Sequence, residues 1–151
     1  MDQRDPKLIL YRARNIQQRI DRRMTELNRL RAMETYLSAT DYSSPVVKRS
    51  AGRGNVERIA TSSKLASLEQ RIQRDIDELG DAKLEAISLI SLVDDTRMTE
   101  ILWEYYIRAV RSWDDVASAV GYSRQHVTKL HGKALQLLRE KMRLNASIDP
   151  C

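Results

Sequence analysis

The sequence predicts an all-α protein, in which a long helical hairpin or coiled coil is followed by a small helix-turn-helix domain. Glycine (five) and proline (three) are rare among the 151 residues, and aromatic residues make up 5% with no phenylalanine. Sandwiches and barrels need frequent turns and aromatic strands, so this composition disfavours them. Near residue 94, long heptad repeats give way to short, closely capped helices. The length corresponds to one or two small domains.

Residues 7–39 carry apolar side chains at heptad spacing, which predicts one long helix. Arg23 and Glu34 interrupt the stripe at seam positions, where polar residues usually fix helix pairing at some cost in stability. At 1.5 Å per residue the helix would be roughly 50 Å long, so it cannot bury its stripe alone. The stripe consists of Ile9, Ala13, Ile16, Ile20, Leu27, Leu30 and Leu37.

Residues 41–54 contain Pro45, two glycines and several hydroxyl side chains without helical periodicity, which predicts a flexible basic linker. Asn55 is expected to cap a second helix that extends to residue 93. Gly80 interrupts this helix at a cost of about 1 kcal/mol relative to alanine, and whether it bends the helix is left open. The second stripe consists of Leu65, Leu68, Ile72, Ile76, Leu79, Ala82, Ala86, Leu89, Ile90 and Val93.

Two long amphipathic helices joined by a linker can pair in two ways. They can form an antiparallel hairpin within one chain, or either helix can pair with a second copy of the chain. The sequence leaves both arrangements open. We therefore expect residues 7–93 to form a hairpin or coiled coil, and a homodimer is one of the two outcomes.

A separate module is predicted at residues 94–143. Asp94 and Asp95 suit a helix N-terminus by capping and by their interaction with the helix dipole. A third helix is expected over residues 97–108, and residues 144–151 are expected to be a frayed tail. The aromatic residues of the third helix are expected in the core or at its docking surface on the hairpin; they are Trp103, Tyr105 and Tyr106.

The fourth and fifth helices are predicted to flank a glycine turn. Ser112 can cap the fourth helix, Asp115 completes a capping-box-like pair, and Gly121 ends it. Ser123 caps the fifth, which runs to about Arg143. This spacing is that of a helix-turn-helix. The inner faces are formed by Trp113, Val116, Ala117 and Val120 in the fourth helix and by Val127, Leu130, Ala134 and Leu138 in the fifth.

The opposite face of the fifth helix is polar and basic. Residues 123–143 carry six basic side chains and one acidic side chain, an excess equal to the formal net charge of +5 for the whole chain. Reading of the major groove requires side chains near a helix N-terminus that donate to guanine or pair with adenine. Arg124, Gln125 and Lys129 supply such groups, and His126 lies at the edge of this face. Double-stranded DNA is therefore the expected partner.

Phosphate contacts are expected at the two capped helix starts and along the same face. Backbone amides at helix N-termini bind phosphate oxygens, and a glycine permits close approach of the DNA backbone. The alternative is an ordinary solvated basic helix, which charge alone would favour. The expected phosphate-contacting residues are Ser112, Trp113, Ser123, Thr128, Gly132 and Lys133.

No catalytic or metal-binding arrangement is predicted. His126 and His131 are five residues apart with no carboxylate or thiol at ligand spacing, so no metal or other cofactor is expected, and His131 is expected to pack against the inner face. The paired acids lie at helix starts, where capping explains them, so we expect no enzymatic activity. The one cysteine, Cys151, forms no disulfide framework, which suits the cytoplasm. No apolar run approaches the length of a membrane span.

The stretch ILWEYYIRAVRSWDDVASAVGYSRQHVTKLHGKALQLLREKM resembles region 4 of sigma-70-type factors. The resemblance is strongest to the version found in small phage and prophage late-transcription regulators of the ArpU and RinA type, and GYSRQHVTKLHGKAL is its most specific part. Similar sequences often have a glycine in the turn before the fourth helix, where this chain reads Arg108-Ala109-Val110-Arg111. Nothing resembles the sigma region that recognises and melts the −10 element.

The resemblance implies a transcription regulator of phage or prophage genes that is not a complete sigma factor. Its place would be the cytoplasm of a bacterial cell, at the nucleoid, and its helical N-terminal half would dimerise it or engage host RNA polymerase. Thr128 would lie near the DNA backbone. The residues implied to face the bases of a −35-like promoter element are Arg124, Gln125, Lys129 and, in addition, His126.

Two other functions remain open. A small terminase-like DNA-packaging subunit also combines a helix-turn-helix with helical oligomerisation. A coiled-coil protein adaptor without DNA binding would use the N-terminal helices alone. A ring of many subunits would favour packaging, and a lack of salt-sensitive DNA binding would favour the adaptor.

Overall fold

The computed structural model describes residues 5–42 and 51–148, and every regular element within these ranges is helical, as the predicted all-α class requires. A π-helical segment, Trp103–Ile107, directly continues the third α-helix. Within the described part of the chain, none of the helices combines the length and the apolar character needed to cross a membrane. The α-helices are α1 (Pro6–Tyr42), α2 (Ala51–Ile90), α3 (Thr96–Leu102), α4 (Trp113–Val120) and α5 (Arg124–Ile148).

Both long helices extend into the linker predicted at residues 41–54. α1 continues to Tyr42 and α2 already begins at Ala51, so the prediction that Asn55 caps α2 is wrong. Each glycine in a helix costs about 1 kcal/mol relative to alanine, but extending a nucleated helix adds a backbone hydrogen bond for every residue. Residues 43–50 of the predicted linker lie outside the described residues.

The last helix is also longer than predicted. α5 continues to Ile148 rather than ending near Arg143, so the frayed tail predicted at residues 144–151 is wrong over most of its length. Between Gly132 and Pro150 the sequence has neither glycine nor proline, so no residue in that stretch breaks the helix. Residues 149–151, which include the single cysteine, lie outside the described residues.

The described residues form two compact units, and one of them is Arg19–Asp77. It contains the C-terminal half of α1 and the N-terminal half of α2. Its apolar cluster joins the two helices and follows the predicted stripes: Leu27, Leu30, Leu65 and Ile72 are buried, and Leu68 packs against them. At these positions the heptad pattern therefore predicted the buried face correctly.

One position of the second stripe is predicted wrongly. Ile76 is 46% exposed, while its neighbour Asp75 is only 5% exposed. The buried carboxylate accepts a hydrogen bond from Arg19 Nε at 3.2 Å and is paired with the guanidinium of Arg23, the predicted polar seam residue of α1. A buried charge requires such partners, so Asp75, held by two arginines, takes the inward position that the isoleucine was expected to occupy.

Within the described residues, the other unit consists of residues 5–18 and 78–148. It contains the first part of α1, the end of α2 and all of α3, α4 and α5. Asp95 caps α3 as predicted, since its side chain accepts hydrogen bonds from the backbone N–H groups of Arg97 and Met98. Within this unit α5 packs against both α3 and α4. The largest fully buried side chains are those of Leu10, Ile101, Leu102, Tyr106, Val116, Val127 and Leu138.

Candidate nucleic-acid interface

Both ends of α4 have the predicted caps. The backbone N–H of Asp115 donates to Ser112 Oγ at 3.2 Å, and the same hydroxyl donates to the Asp115 carboxylate at 3.0 Å. At the other end Gly121 adopts the left-handed conformation (φ 78°), and its N–H donates to the carbonyl oxygen of Ala117 at 2.9 Å. The sequence therefore specifies the length of α4 by local hydrogen bonds.

The start and the inner face of α5 also agree with the prediction. The N–H of His126 donates to Ser123 Oγ at 3.2 Å, which makes Ser123 the N-terminal cap. Trp113 and Val120, predicted on the inner face of α4, are half-buried. The other predicted inner residues are buried: Val116 and Ala117 in α4, and Val127, Leu130, Ala134 and Leu138 in α5.

The outward face of α5 is polar and open to solvent. Among the described residues, neither Lys129 nor Lys133 has an ion-pair partner. Arg124 lies 3.5 Å from the carboxylate of Asp114, and both side chains are well exposed, so their attraction is weak in water. The exposed residues of this face are Arg124, Gln125, Thr128, Lys129, Gly132, Lys133 and Gln136.

Two of the basic residues of α5 pair with carboxylates of other segments of the same unit. Arg139 lies 3.4 Å from the carboxylate of Asp5, and Lys141 lies 3.2 Å from that of Asp94 and also donates to the carbonyl oxygen of Leu92. The N–H of Lys7 and the Arg139 guanidinium hold the pKa of Asp5 below its usual value. The excess of positive charge on α5 is thus divided between an outward face and structural ion pairs.

Several of the residues predicted to contact phosphates have side chains that are already engaged within the protein. The hydroxyl of Ser112 is engaged by Asp115, as described above. The indole of Trp113 stacks on the ring of Tyr105, with centroids 3.9 Å apart and an interplanar angle of 11°. Thr128 Oγ1 donates to the carbonyl oxygen of Gln125 at 3.0 Å. Ser123, Gly132 and Lys133 are exposed.

The two histidines occupy different environments. His126 is half-buried, and its ring meets that of Tyr122 edge to face at 5.2 Å. His131 packs against the inner side, as predicted, and its Nε2 shares a hydrogen bond of 2.6 Å with the Tyr106 hydroxyl. Burial, with a smaller contribution from the charge of Lys7, lowers the pKa of His131 to about 4. His131 is therefore a neutral core histidine near neutral pH.

The aromatic residues after α3 are only partly as predicted. Tyr105 and Tyr106 are buried and pack edge to face on Tyr11 of α1, at 6.1 and 5.2 Å between centroids. Burial raises the pKa of both hydroxyls. Trp103 is 39% exposed, so of its two predicted places the core is wrong, and a docking surface on the hairpin stays a prediction. Trp103 lines an open groove beside Glu100, on a different side of the helix from the two tyrosines.

The sequence interpretation missed Arg14, which is 5% exposed. Its Nη1 donates to the carbonyl oxygens of Tyr105 and Val110, both at 2.7 Å, and its Nη2 to that of Arg111 at 3.4 Å. The available signal was helical spacing, because position 14 falls three or four residues from other inward positions of α1. The positive charge of arginine argued against placing it in the core.

No cluster of three or more histidine, cysteine, aspartate or glutamate residues that could hold a metal ion is found in the described ranges, 5–42 and 51–148. No protein-family model matches the chain, and neither a curated protein nor a solved structure matches it. Interpretation of the outward face of α5 therefore depends on its own chemistry.

Proposed function

We propose that this protein is a sequence-specific DNA-binding regulator of phage or prophage transcription. In this proposal α4, the turn at Gly121 and α5 act as a helix-turn-helix, and α5 enters the major groove. The supporting observation is the outward face of α5, where two exposed lysines without ion-pair partners and two glutamines stand opposite a buried apolar face. A helix anchored in this way presents its side chains to the groove at a fixed angle.

The first two turns of α5 carry the proposed base contacts. Glutamine can bond adenine through two atoms, and arginine or lysine can donate to guanine. Gln125 and Lys129 are exposed, and Arg124 has the solvent-exposed Asp114 as a competing partner. An exposed ion pair contributes about 1 kcal/mol or less, so Arg124 can exchange Asp114 for a guanine at small cost. His126 stands at the edge of this set.

The proposed phosphate contacts combine backbone amides at the two helix starts with the side chain of Lys133. Lys133 and Ser123 are exposed, and Gly132 leaves the helix backbone open to a close approach. Ser112 and Trp113 would contribute through backbone amides at the start of α4, because their side chains are already engaged. These contacts would fix the register of the protein on DNA.

The N-terminal helices supply the second part of the proposal. The unit Arg19–Asp77 joins α1 to α2 through an apolar cluster and through buried Asp75, which pairs with Arg19 and Arg23. We assign it the role of a helical hairpin that dimerises the protein or engages RNA polymerase. The proposed site of action is the bacterial nucleoid.

The face assignment is tested with a matched pair of lysine variants. Lys129→Ala and Lys64→Ala remove the same charge from exposed helical positions, but Lys64 lies in the other unit. Affinity for duplexes selected from a random pool is measured by fluorescence anisotropy over a series of salt concentrations. Lys129→Ala should weaken binding and reduce the salt slope by about 1, while Lys64→Ala should leave both near wild type. Equal behaviour of the two variants would refute the assignment.

Base reading is tested separately with Gln125→Ala, which leaves the net charge unchanged. We expect this variant to lose discrimination at one base pair, worth about 1–3 kcal/mol, without a change in the salt slope. The measurement is a second round of selection from the random pool with the variant. An unchanged selected sequence would show that Gln125 contacts no base.

Solution mass distinguishes the other functions. Light scattering of the protein, alone and with DNA, should give the mass of a monomer or dimer. Selection from the random pool should enrich a −35-like sequence or paired half-sites. A closed ring of many subunits would indicate DNA packaging instead. No salt-sensitive binding at low salt would indicate the protein adaptor.

A further inference from the structure

We propose that Arg14 is a positioning residue for DNA reading, because it fixes the turn that leads into α4. By this means the N-terminal segment of α1 sets the orientation of α4, and through it that of α5. The part of this proposal that concerns DNA depends on the proposed function, whereas the part that concerns the turn does not.

Arg14 is a buried cation whose compensation comes from backbone carbonyl groups. In the described part of the chain its guanidinium pairs with no carboxylate and instead donates to three carbonyl oxygens. Tyr105 belongs to the last turn of the π-helical segment, where carbonyl groups lack partners within the helix and carry the negative end of its dipole. Removal of Arg14 would leave these carbonyl groups without their donor.

The turn that Arg14 holds contains a strained residue. Ala109 is the only residue other than glycine with a positive φ in the described ranges, at 52°. The left-handed conformation costs an L-residue roughly 1–2 kcal/mol. The next two residues, Val110 and Arg111, present their carbonyl oxygens to Arg14 at 2.7 and 3.4 Å. The Val110 N–H also donates to the Glu104 carbonyl oxygen at 3.0 Å. Opening of the turn would break this local bond and both bonds to Arg14, so Arg14 adds to the forces that oppose the relaxation of Ala109.

The geometry of the turn is passed directly to α4. Arg111 is followed by Ser112, the cap of α4, and then by Trp113, its first residue. The Arg14 guanidinium lies 3.8 Å from the centroid of the Tyr105 ring, and the Trp113 ring stacks on the same tyrosine at 3.9 Å. The guanidinium and the indole are too close to the Tyr105 ring to share one of its faces, so the ring lies between them. The stack connects α1 to the first residue of α4.

The expected loss of DNA affinity depends on the fraction of molecules in which the turn has the conformation that binds DNA. If loss of Arg14 lets Ala109 relax, the arrangement that binds DNA becomes a minor state, and the apparent affinity falls by the fraction that remains. A cost of roughly 1–2 kcal/mol corresponds to a decrease of about 5- to 30-fold. A residue that only filled the core would lower stability without changing the affinity of the folded protein.

The experiment compares Arg14→Ala and Arg14→Lys, each with and without Ala109→Gly. Glycine adopts the left-handed conformation without cost, so it should make the clamp unnecessary. DNA affinity is measured well below the unfolding transition of each variant. Rates of tryptic cleavage after Arg108 and Arg111, relative to cleavage after Arg31 in the other unit, report the turn without DNA. Arg14→Lys keeps the charge but loses the planar fork, and it serves if Arg14→Ala does not fold.

We expect Arg14→Ala to weaken DNA binding about tenfold and to accelerate cleavage in the turn, and Arg14→Lys to have a smaller effect in the same direction. In the Arg14 variants, Ala109→Gly should restore most of the DNA affinity and most of the resistance to cleavage. In the wild type it should change both properties little. Unchanged affinity and cleavage in both Arg14 variants would overturn the proposal, as would an equal effect of Ala109→Gly in all backgrounds. If wild-type protein fails to bind DNA while cleavage responds as expected, the proposed function falls and the clamp on the turn stands.

Discussion

The two turns on either side of α4 use the same backbone conformation in different ways. After α4, Gly121 supplies the left-handed residue without steric cost, and the N–H groups of Gly121 and Tyr122 both donate to the nearby carbonyl oxygen of Ala117. Before α4 the left-handed residue is Ala109, and the turn is held by Arg14, which lies far away in the sequence. The turn after α4 is held by local bonds, whereas the turn before α4 combines a local bond, from the Val110 N–H to the Glu104 carbonyl oxygen at 3.0 Å, with the tertiary contact of Arg14.

The largest predicted effect is a loss of folding stability at acid pH, and it arises beside the turn at Ala109 rather than beside the turn at Gly121. Burial disfavours protonation of His131 in the folded protein and lowers its pKa from the usual 6.5 to about 4. Above about pH 6.5 the histidine is neutral in both the folded and the unfolded protein, and the stability of the fold is complete. As the pH falls towards 4, the unfolded chain binds a proton that the folded protein does not, and the free energy of unfolding falls by up to roughly 3 kcal/mol. The affected side is that of Ala109, because the His131 ring lies 4.5 Å from that of Trp113.

Urea unfolding of wild type and His131→Gln between pH 7.5 and 4 measures this effect. Carboxylates contribute to acid sensitivity in both proteins, so the difference between the two free energies of unfolding isolates the histidine. That difference should shrink as the solution becomes more acidic. A constant difference would mean that the histidine is not held neutral.

The next prediction breaks the locally specified turn. Gly121→Ala should lower the free energy of unfolding by about 1–2 kcal/mol, because alanine is strained in the left-handed conformation. No heavy atom lies within 4 Å of an added Cβ, so the cost is that of the backbone alone. Thermal and urea unfolding measure it. A neutral result would show that this turn can change its conformation freely.

The reverse substitution improves the other turn. Ala109→Gly removes the left-handed strain and should raise the free energy of unfolding by up to about 1 kcal/mol, since glycine also adds freedom to the unfolded chain. The same unfolding assays apply, with Ala119→Gly in α4 as the control, because glycine within a helix should destabilise. Destabilisation by Ala109→Gly would contradict the strain assigned to this turn.

The smallest effects come from glycines that lie within helices. Gly80→Ala and Gly132→Ala should each raise the free energy of unfolding by about 0.5–1 kcal/mol, because neither position has atoms within 4 Å of an added Cβ. Their sign is thus opposite to that of Gly121→Ala. Gly132→Ala alone should weaken DNA binding, since only that glycine lies on the outward face of α5. Equal DNA affinities of the two variants would remove Gly132 from the proposed contacts.

The comparison also shows which features could be predicted from the sequence. The capping pair Ser112 and Asp115, the Gly121 turn and the Ser123 cap all depend on residues within four positions of one another, and all were correctly predicted. The inner faces of α4 and α5 followed from helical spacing for the same reason. The sequence therefore predicted the arrangement of the candidate interface in local detail, while its ligand stays a prediction.

Features that depend on distant partners were not predicted. Arg14 and Asp75 are buried charges, and a single sequence does not show that their partners are brought to them by folding. The same limitation led to the error at Ile76, because the heptad pattern assigns an inward position to the apolar neighbour of a charged residue. Trp103 was grouped with Tyr105 and Tyr106, although the buried positions 101, 102, 105 and 106 recur at helical spacing and position 103 lies outside that set.

The division of the chain into a continuous unit and a discontinuous one has a consequence for folding during synthesis. The unit Arg19–Asp77 is complete once its own residues have left the ribosome, whereas the other unit needs both ends of the chain. Arg14 emerges early, but the carbonyl groups it binds emerge some ninety residues later. The segment that carries α4 and α5 is thus synthesised after the arginine that holds it, and a truncated nascent chain has the clamp without the turn.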